Sequence, residues 1–209
     1  MKINAKKSSC IRFGKGYKTD CAQVSVDGIS LTWSPNLKYL GITLKSFSKF
    51  SVDLKDSRSN FYKSFNSIYS KVFRASEDVI LSLMKSFCIP SLLYGIEALY
   101  LSASDLNSLD TPVFQAFYKI FKTYDKATVS YCMFFMNVLP PRSEYIFRKI
   151  KFLIKNCNSV NALVFFLCNL RGSIELDQLC KQANVAINDS FFEMKNIIFK
   201  SFELSLNQL

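Results

Sequence analysis

The sequence predicts an α+β protein that is mostly α, with a small antiparallel β-hairpin or sheet remnant at the N-terminus followed by helices. An Asp27-Gly28 pair lies between two short apolar-rich runs, which is a strong signal of a hairpin turn. After residue 50, apolar residues recur mainly at spacings of three and four, the period of an amphipathic helix. The chain has only 6 Gly and 5 Pro against 20 Phe, which favours packed helices over long loops.

Short strands are expected within the first 46 residues. Their patterns place them at Ser9–Phe13, Gln23–Val26, Ile29–Trp33 and Leu37–Leu44. The Asp27-Gly28 turn joins the second to the third, and Pro35-Asn36 marks another turn. In the last strand Tyr39 and Leu40 are expected on opposite faces, with Gly41 allowing a close backbone approach.

Helices are expected from residue 51 onwards. Ser51 is a plausible N-cap with Asp53 in the first turn, and an apolar stripe follows as far as Phe73. A second helix begins at Ser76-Glu77-Asp78 and should bend or break at Pro90.

Two further features organise the second half of the chain. Ser104-Asp105 begins an amphipathic helix that contains Pro112, and Pro140-Pro141 is the clearest break. Beyond it, Glu144–Leu170 and Ser173–Leu206 are expected to be helical.

The positive charge is concentrated in the first third of the chain. Residues 1–75 hold 14 Lys or Arg and 4 Asp or Glu, a net charge of +10, whereas residues 76–209 hold 13 and 12, a net charge of +1. Such an asymmetry indicates a polyanionic partner. A solvated basic surface that keeps an aromatic-rich chain soluble explains the composition equally well.

The cysteines and the apolar stretches indicate the cellular compartment of the protein. The 7 Cys include no Cys-x-x-Cys, and the chain has no His, which argues against a zinc site and favours free thiols in a reducing compartment. The N-terminus lacks the apolar core of a signal peptide. Because Phe87–Leu101 and Val160–Leu170 are too short or too interrupted to span a membrane, no membrane partner is expected. We therefore expect an intracellular protein, nuclear or cytoplasmic, that is not secreted.

Three motifs stand out in the first half of the chain. They are Asn4–Phe13, which contains Asn4-x-x-Lys7-Ser8; Leu37-Lys38-Tyr39-Leu40-Gly41-Ile42; and Ser86–Ala98, in which Pro90, Tyr94, Gly95 and Glu97 carry the match. In this order and spacing they resemble the end of the palm and the thumb of non-LTR (LINE-type) retrotransposon reverse transcriptases. The resemblance covers residues 1–125 well and the rest weakly.

The resemblance implies a domain plan and a binding site. Residues 1–50 would be the palm remnant, 51–125 a thumb-like helical bundle, and 126–209 a C-terminal connection region. Lys7, or its neighbour Lys6, would lie near the phosphates of the incoming nucleotide. The primer grip would consist of Lys38, Tyr39, Leu40 and Gly41. On the thumb helix, phosphate contacts would come from Lys55, Arg58 and Lys63, with Lys71 further along.

The family's catalytic carboxylates have no counterpart in this sequence. Templated nucleotide addition uses two metal ions held by neighbouring carboxylates, but the strand-rich region has only Asp20, Asp27 and Asp53, and no Asp-Asp pair occurs in the chain. We assign no catalytic residue, metal site or cofactor, although the intact family uses Mg. The expected activity is therefore template–primer gripping by a fragment that is inactive alone.

Several alternatives stay open. The expected partners are an RNA or DNA template–primer, through residues 1–75, and the missing N-terminal half of the polymerase. The chain can also be interpreted as a non-enzymatic nucleic-acid-binding protein, or as a helical interaction module using the aromatic-rich residues 106–208. Taken singly, each basic residue fits an exposed, solvated face, and Leu37–Ile42 fits a core strand with one aromatic facing inward.

Overall fold

The computed structural model describes residues 4–207, except for the side chain of Lys6. The chain divides into two compact units, Met1–Asp56 and Ser57–Leu209. The predicted fold class is confirmed, because small N-terminal sheets precede a predominantly helical remainder.

The described part of the first unit consists of very short strands. They are β1 Ser9–Cys10, β2 Ser25–Val26, β3 Ile29–Ser30, β4 Thr32–Trp33, β5 Asn36–Tyr39, β6 Ile42–Lys45 and β7 Ser51–Asp53. Strand β1 pairs in parallel with β4, β2 pairs antiparallel with β3, and β5, β6 and β7 form an antiparallel sheet in that order. The Asp27-Gly28 hairpin is confirmed, with Val26 paired to Ile29.

The prediction of one strand over Leu37–Leu44 is wrong. The chain reverses at Leu40 and Gly41, whose φ angles are 47° and 83°, so the segment forms the two strands of a hairpin. Leucine is not a typical turn residue, and for this reason the pattern of apolar residues concealed the turn. The predicted strand Ser9–Phe13 is also shorter than expected and ends at Cys10.

The prediction that Ser51 caps a helix is also wrong. Ser51–Asp53 pairs with β6, and Val52 and Leu54 are buried in strand-like alternation. The Asp53 carboxylate instead accepts a hydrogen bond from the backbone N–H of Lys55, at 2.9 Å, where the first helix starts. Asp53 lies two residues before Lys55 and thus satisfies one of the free backbone N–H groups at the start of the helix.

The helices account for most of the chain. They are α1 Lys55–Val72, α2 Glu77–Leu83, α3 Ile89–Leu92, α4 Ala103–Phe121, α5 Lys126–Phe135, α6 Pro141–Cys157, α7 Ala162–Leu167, α8 Ser173–Ala183 and α9 Phe191–Leu206. Capping boxes begin α4, with Ser102 and Asp105, and α9, with Ser190 and Glu193. Helix α4 continues through Pro112.

Pro90 is accommodated by a π-helical turn over Met84–Cys88, which joins α2 to α3. A helical proline clashes with the carbonyl four residues earlier, which for Pro90 is that of Ser86, inside this wider turn. The resulting run Glu77–Ala98 spans 22 residues, and 39% of its most apolar stretch is buried. It is long and apolar enough to cross a membrane, although the core helix of a soluble protein can be equally long and apolar.

Helix α6 is the centre of the second unit. Its Ile150 and Leu153 pack with Leu176 of α8 and with Met194 and Ile198 of α9. Helix α1 contributes two buried aromatic side chains, Phe61 and Phe65, to the unit. Polar contacts join α1 to α4: Tyr62 Oη donates to Gln115 Oε1 at 2.7 Å, and Lys119 Nζ lies 4.5 Å from the Tyr69 ring centroid.

A buried polar cluster attaches the chain after α3 to α6. The carbonyl of Leu99 accepts hydrogen bonds from Tyr145 Oη at 3.1 Å and from Lys149 Nζ at 3.0 Å. Lys149 Nζ also lies 3.5 Å from Glu175 Oε1, although its side chain is almost completely buried. The lysine is therefore a structural residue with a fixed partner set.

Cys157 and Cys168 form a disulfide, which corrects the expectation that all the cysteines are free thiols. The pairing requires the chain to turn back between α6 and α7, and sequence spacing does not reveal that turn. Cys10, Cys21, Cys88, Cys132 and Cys180 are free and at least half-buried, as expected. Burial raises the pKa of the Cys88 thiol to about 11, so it stays protonated at neutral pH.

Serine substitution of both Cys157 and Cys168 is expected to lower the free energy of unfolding by about 3 kcal/mol. The cross-link joins residues separated by 11 positions and restricts the unfolded chain accordingly. Urea unfolding with and without reductant measures the effect. Reductant should destabilise the natural chain and leave the double variant unchanged; equal sensitivity of both would contradict the pairing.

Lys149→Ala is expected to cost about 3 kcal/mol of unfolding free energy, because it removes a buried stem and a donor to Leu99 and leaves Glu175 unpaired. Lys155→Ala, at an exposed position of the same helix, is the matched control and should cost less than about 0.5 kcal/mol. The midpoints of urea unfolding of the two variants measure this difference. Similar losses of unfolding free energy in both would show that Lys149 has no special structural role.

Candidate nucleic-acid interface

The β5–β6 hairpin presents the predicted grip residues at its turn. Asn36 pairs with Lys45 at the open end and Tyr39 with Ile42 next to the turn. Both turn residues, Leu40 and Gly41, have positive φ, as a two-residue hairpin turn of type I′ requires. The side chains of Tyr39 and Leu40 are 63% and 71% exposed, so the interpretation of an aromatic facing a core does not hold.

Leu40 occupies a backbone conformation that disfavours leucine. The left-handed region is open to glycine and tolerated by Asn and Asp, whereas other residues lose roughly 1 kcal/mol or more there. The β2–β3 hairpin of the same unit shows the usual solution, with Asp27 and Gly28 at φ angles of 51° and 76°. The two hairpins therefore share one turn geometry, and only one of them has a residue that suits its first position.

Lys38 lies beside the turn with a carboxylate nearby. Its Nζ is 3.9 Å from Asp56 Oδ2, and Thr43, its cross-strand partner, donates to the same oxygen at 3.2 Å. Both charged side chains are exposed, so this ion pair contributes little to stability and Lys38 can exchange its partner for a phosphate. Asp56 could not be identified as a counterion from the sequence, because the contact depends on the register of the hairpin.

Lys7 precedes the segment of chain that contacts the hairpin. Lys7 ends a short 3₁₀ turn, and its side chain is exposed. The chain that follows it is bonded to the open end of the hairpin, since Ser46 Oγ donates to the Arg12 carbonyl at 2.6 Å and Gly14 N–H to that of Phe47 at 3.0 Å. The side chain of Lys6 lies outside the described residues.

The predicted thumb cations share a helix but do not share one face. At about 100° per residue, Arg58 lies about 60° from the buried Phe61, whereas Lys63 lies about 160° from it on the opposite side. Accordingly Lys63 is exposed, while Arg58 is half-buried and its Nε has no partner among residues 4–207. Lys55 is exposed at the start of the helix. These residues provide separate contacts, not one continuous row.

The third motif has a packing role. Cys88, Leu92, Leu93 and Ile96 are buried, and Gly95 follows α3 with a φ of 67°, which explains a glycine at that position. The Oε2 atom of Glu97 is buried and has no hydrogen-bond partner within the described part of the chain.

The chemical groups of the hairpin suit contact with a polyanion: an ammonium, an exposed phenol and a backbone turn open to close approach. In residues 4–207, no group of three or more His, Cys, Asp or Glu side chains lies close enough to hold a metal ion. No protein-family model, curated protein or solved structure matches the chain.

Leu40→Asn is expected to raise the free energy of unfolding of the first unit by about 1 kcal/mol, since asparagine tolerates the left-handed region. Asp27→Leu is the mirror-image control and should lower it by a similar amount. Trp33, the one tryptophan of the chain, lies in this unit and reports urea unfolding by its fluorescence. A loss of stability in Leu40→Asn would show that the leucine side chain stabilises the fold.

Proposed function

We propose that the β5–β6 hairpin grips the sugar–phosphate backbone of a template–primer. In this proposal the chain is a fragment of a retrotransposon RNA-directed DNA polymerase that lacks the catalytic aspartates and does not polymerise alone. The observation that carries the proposal is Leu40, an exposed leucine held in an unfavourable backbone conformation at the tip of a hairpin. Strain of this kind is concentrated at sites of function.

Each grip residue has a distinct chemical role in the proposed complex. Lys38 Nζ leaves the weak, exposed pair with Asp56 and meets a phosphate oxygen. Tyr39 stacks on a terminal base or bonds to the sugar through its hydroxyl. Gly41 has no side chain, so the phosphate can approach the peptide backbone directly. Leu40 contacts the apolar side of the sugar next to that phosphate.

The cations outside the hairpin contribute without reading sequence. Lys55 and Lys63 are exposed and can each neutralise a phosphate, as can Lys7. Arg58, with its half-buried guanidinium, is the weakest member of the proposed set. Contacts of this kind position a duplex and make the affinity depend on salt.

The same hairpin chemistry is compatible with a non-enzymatic nucleic-acid-binding protein, which is the second candidate. The two candidates differ in what the tip recognises. A primer grip prefers a recessed 3′ end paired to a template, whereas a general binding surface takes single strands and blunt duplexes equally well.

Anisotropy titrations with labelled oligonucleotides test the proposal. We expect a primer–template with a recessed 3′ end to bind more tightly than a blunt duplex, with an affinity that falls steeply as salt rises. Tyr39→Ala should weaken binding about tenfold, and Lys38→Gln should reduce the salt slope by about one. Tyr124→Ala, an exposed tyrosine of the second unit, is the matched control.

Leu40→Asn separates function from stability, because it should bind more weakly while folding more stably. If both Leu40→Asn and Tyr39→Ala bind like the natural chain, the hairpin is not the grip. Nucleotide incorporation by the isolated chain with Mg²⁺ or Mn²⁺ would overturn the assignment as an inactive fragment.

A further inference from the structure

The chain between Glu144 and Glu175 contains no acidic residue. Residues 145–174 include five cations, Arg148, Lys149, Lys151, Lys155 and Arg171, and the rest are neutral. This stretch comprises most of α6, the bend, α7 and the π-helical turn over Cys168–Gly172. It is therefore a cationic segment inside a region whose overall charge is close to zero.

Helix α7, Ala-Leu-Val-Phe-Phe-Leu, is apolar on every side and buries none of its residues. Leu163 and Phe165 are both exposed, yet they are about 160° apart around the helix. Phe166 is 59% exposed, and the exposed apolar surface continues through Leu167 and Leu170. A helix that is apolar all round normally lies inside a protein core or in lipid.

The local structure holds this apolar segment in place. The Asn161 side chain accepts hydrogen bonds from the N–H groups of Leu163 at 3.0 Å and of Val164 at 3.2 Å, which satisfies part of the helix N-terminus internally. The disulfide between Cys157 and Cys168 fastens the end of α6 to the end of α7. Internal satisfaction of backbone groups is what an apolar environment demands.

Four of the five cations divide into structural and unpaired groups, and the fifth, Lys151, has its Nζ 5.1 Å from the ring centroid of Phe191. Arg148 is paired with Glu144 and Lys149 with Glu175, so both cations are engaged in ion pairs within the fold. Lys155 and Arg171 are exposed, and neither has an acidic partner within 4.0 Å in the part of the chain that is described. These two lie next to the disulfide that bounds the apolar helix, so positive charge flanks the apolar surface.

We propose that α7 docks into the interfacial region of an anionic lipid bilayer, with Lys155 and Arg171 at the headgroups. A protein partner would cover one side of α7, whereas a leaflet can cover exposed apolar side chains that point in more than one direction. A second copy of the chain would bring the same cations without compensating acids.

This proposal is independent of the nucleic-acid grip, which lies in the other unit. It also departs from the expectation of no membrane partner. That expectation considered only stretches long enough to span a bilayer, and an interfacial helix needs no span.

Fluorescence of a single tryptophan tests the depth of docking. In a Trp33→Phe background, Phe166→Trp places the only indole on α7. We expect its emission to shift to the blue on vesicles of phosphatidylcholine mixed with phosphatidylserine, and brominated lipid to quench it. Unchanged emission and no quenching on those vesicles would overturn the proposal.

Vesicle flotation of the full chain identifies the residues. Phe166→Asp should weaken binding at least about tenfold, while Phe192→Asp, which changes a 75% exposed phenylalanine on α9, should leave it intact. The double variant Lys155→Gln, Arg171→Gln should lose the preference for anionic over neutral vesicles. Circular dichroism checks that each variant folds.

The same experiments distinguish the other molecules that could cover α7. If Phe166→Asp reduces the mass of a soluble oligomer and leaves vesicle binding unchanged, a second copy covers the helix and the proposal fails. It fails also if Tyr39→Ala weakens flotation as much as Phe166→Asp, because the basic first unit would then account for the binding.

Discussion

The arrangement of the second unit depends on how the backbone between α3 and α4 is satisfied. This segment has little regular structure, so its buried carbonyls need partners, and α6 supplies them from its side chains. Tyr145 and Lys149 donate to Leu99, and Arg148 donates to Leu93 at 3.3 Å. Lys149 also reaches Glu175 of α8, and the neighbouring Ile150 and Leu153 of α6 pack against α8 and α9.

This use of cations explains why a charge count along the sequence misleads. Residues 76–209 have a net charge of +1, but their acids and bases are not mixed evenly. Arg148 and Lys149 are taken up by the fold, whereas Lys155 and Arg171 remain unpaired beside an apolar helix. In the first third, the +10 includes Arg58, which is half-buried, and Lys38, whose weak, exposed pair with Asp56 still lets it exchange its partner for a phosphate. Local pairing, not segmental charge, decides which cations can meet a ligand.

The two hairpins of the first unit show what sequence can and cannot predict. Asp27-Gly28 is a residue pair that suits a type I′ turn, and the hairpin there could be predicted directly. Leu40-Gly41 adopts the same turn with a residue that opposes it, so a strand was the natural expectation. The long amphipathic helices α1, α4 and α9 follow from periodicity. The disulfide between Cys157 and Cys168 does not, because it depends on a bend that no local pattern encodes.

The exposed apolar residues at the two proposed surfaces differ in what they imply. A single exposed leucine is ordinary, since much of any protein surface is apolar. Leu40 is informative because its backbone is unfavourable for leucine and an asparagine would relieve the cost. Helix α7 is informative for a different reason, which is the extent of its exposed apolar surface. Its contiguous apolar side chains point in nearly opposite directions. Strain at one residue indicates a precise contact, whereas a helix whose exposed apolar side chains point in widely separated directions indicates an environment that covers more than one side of it.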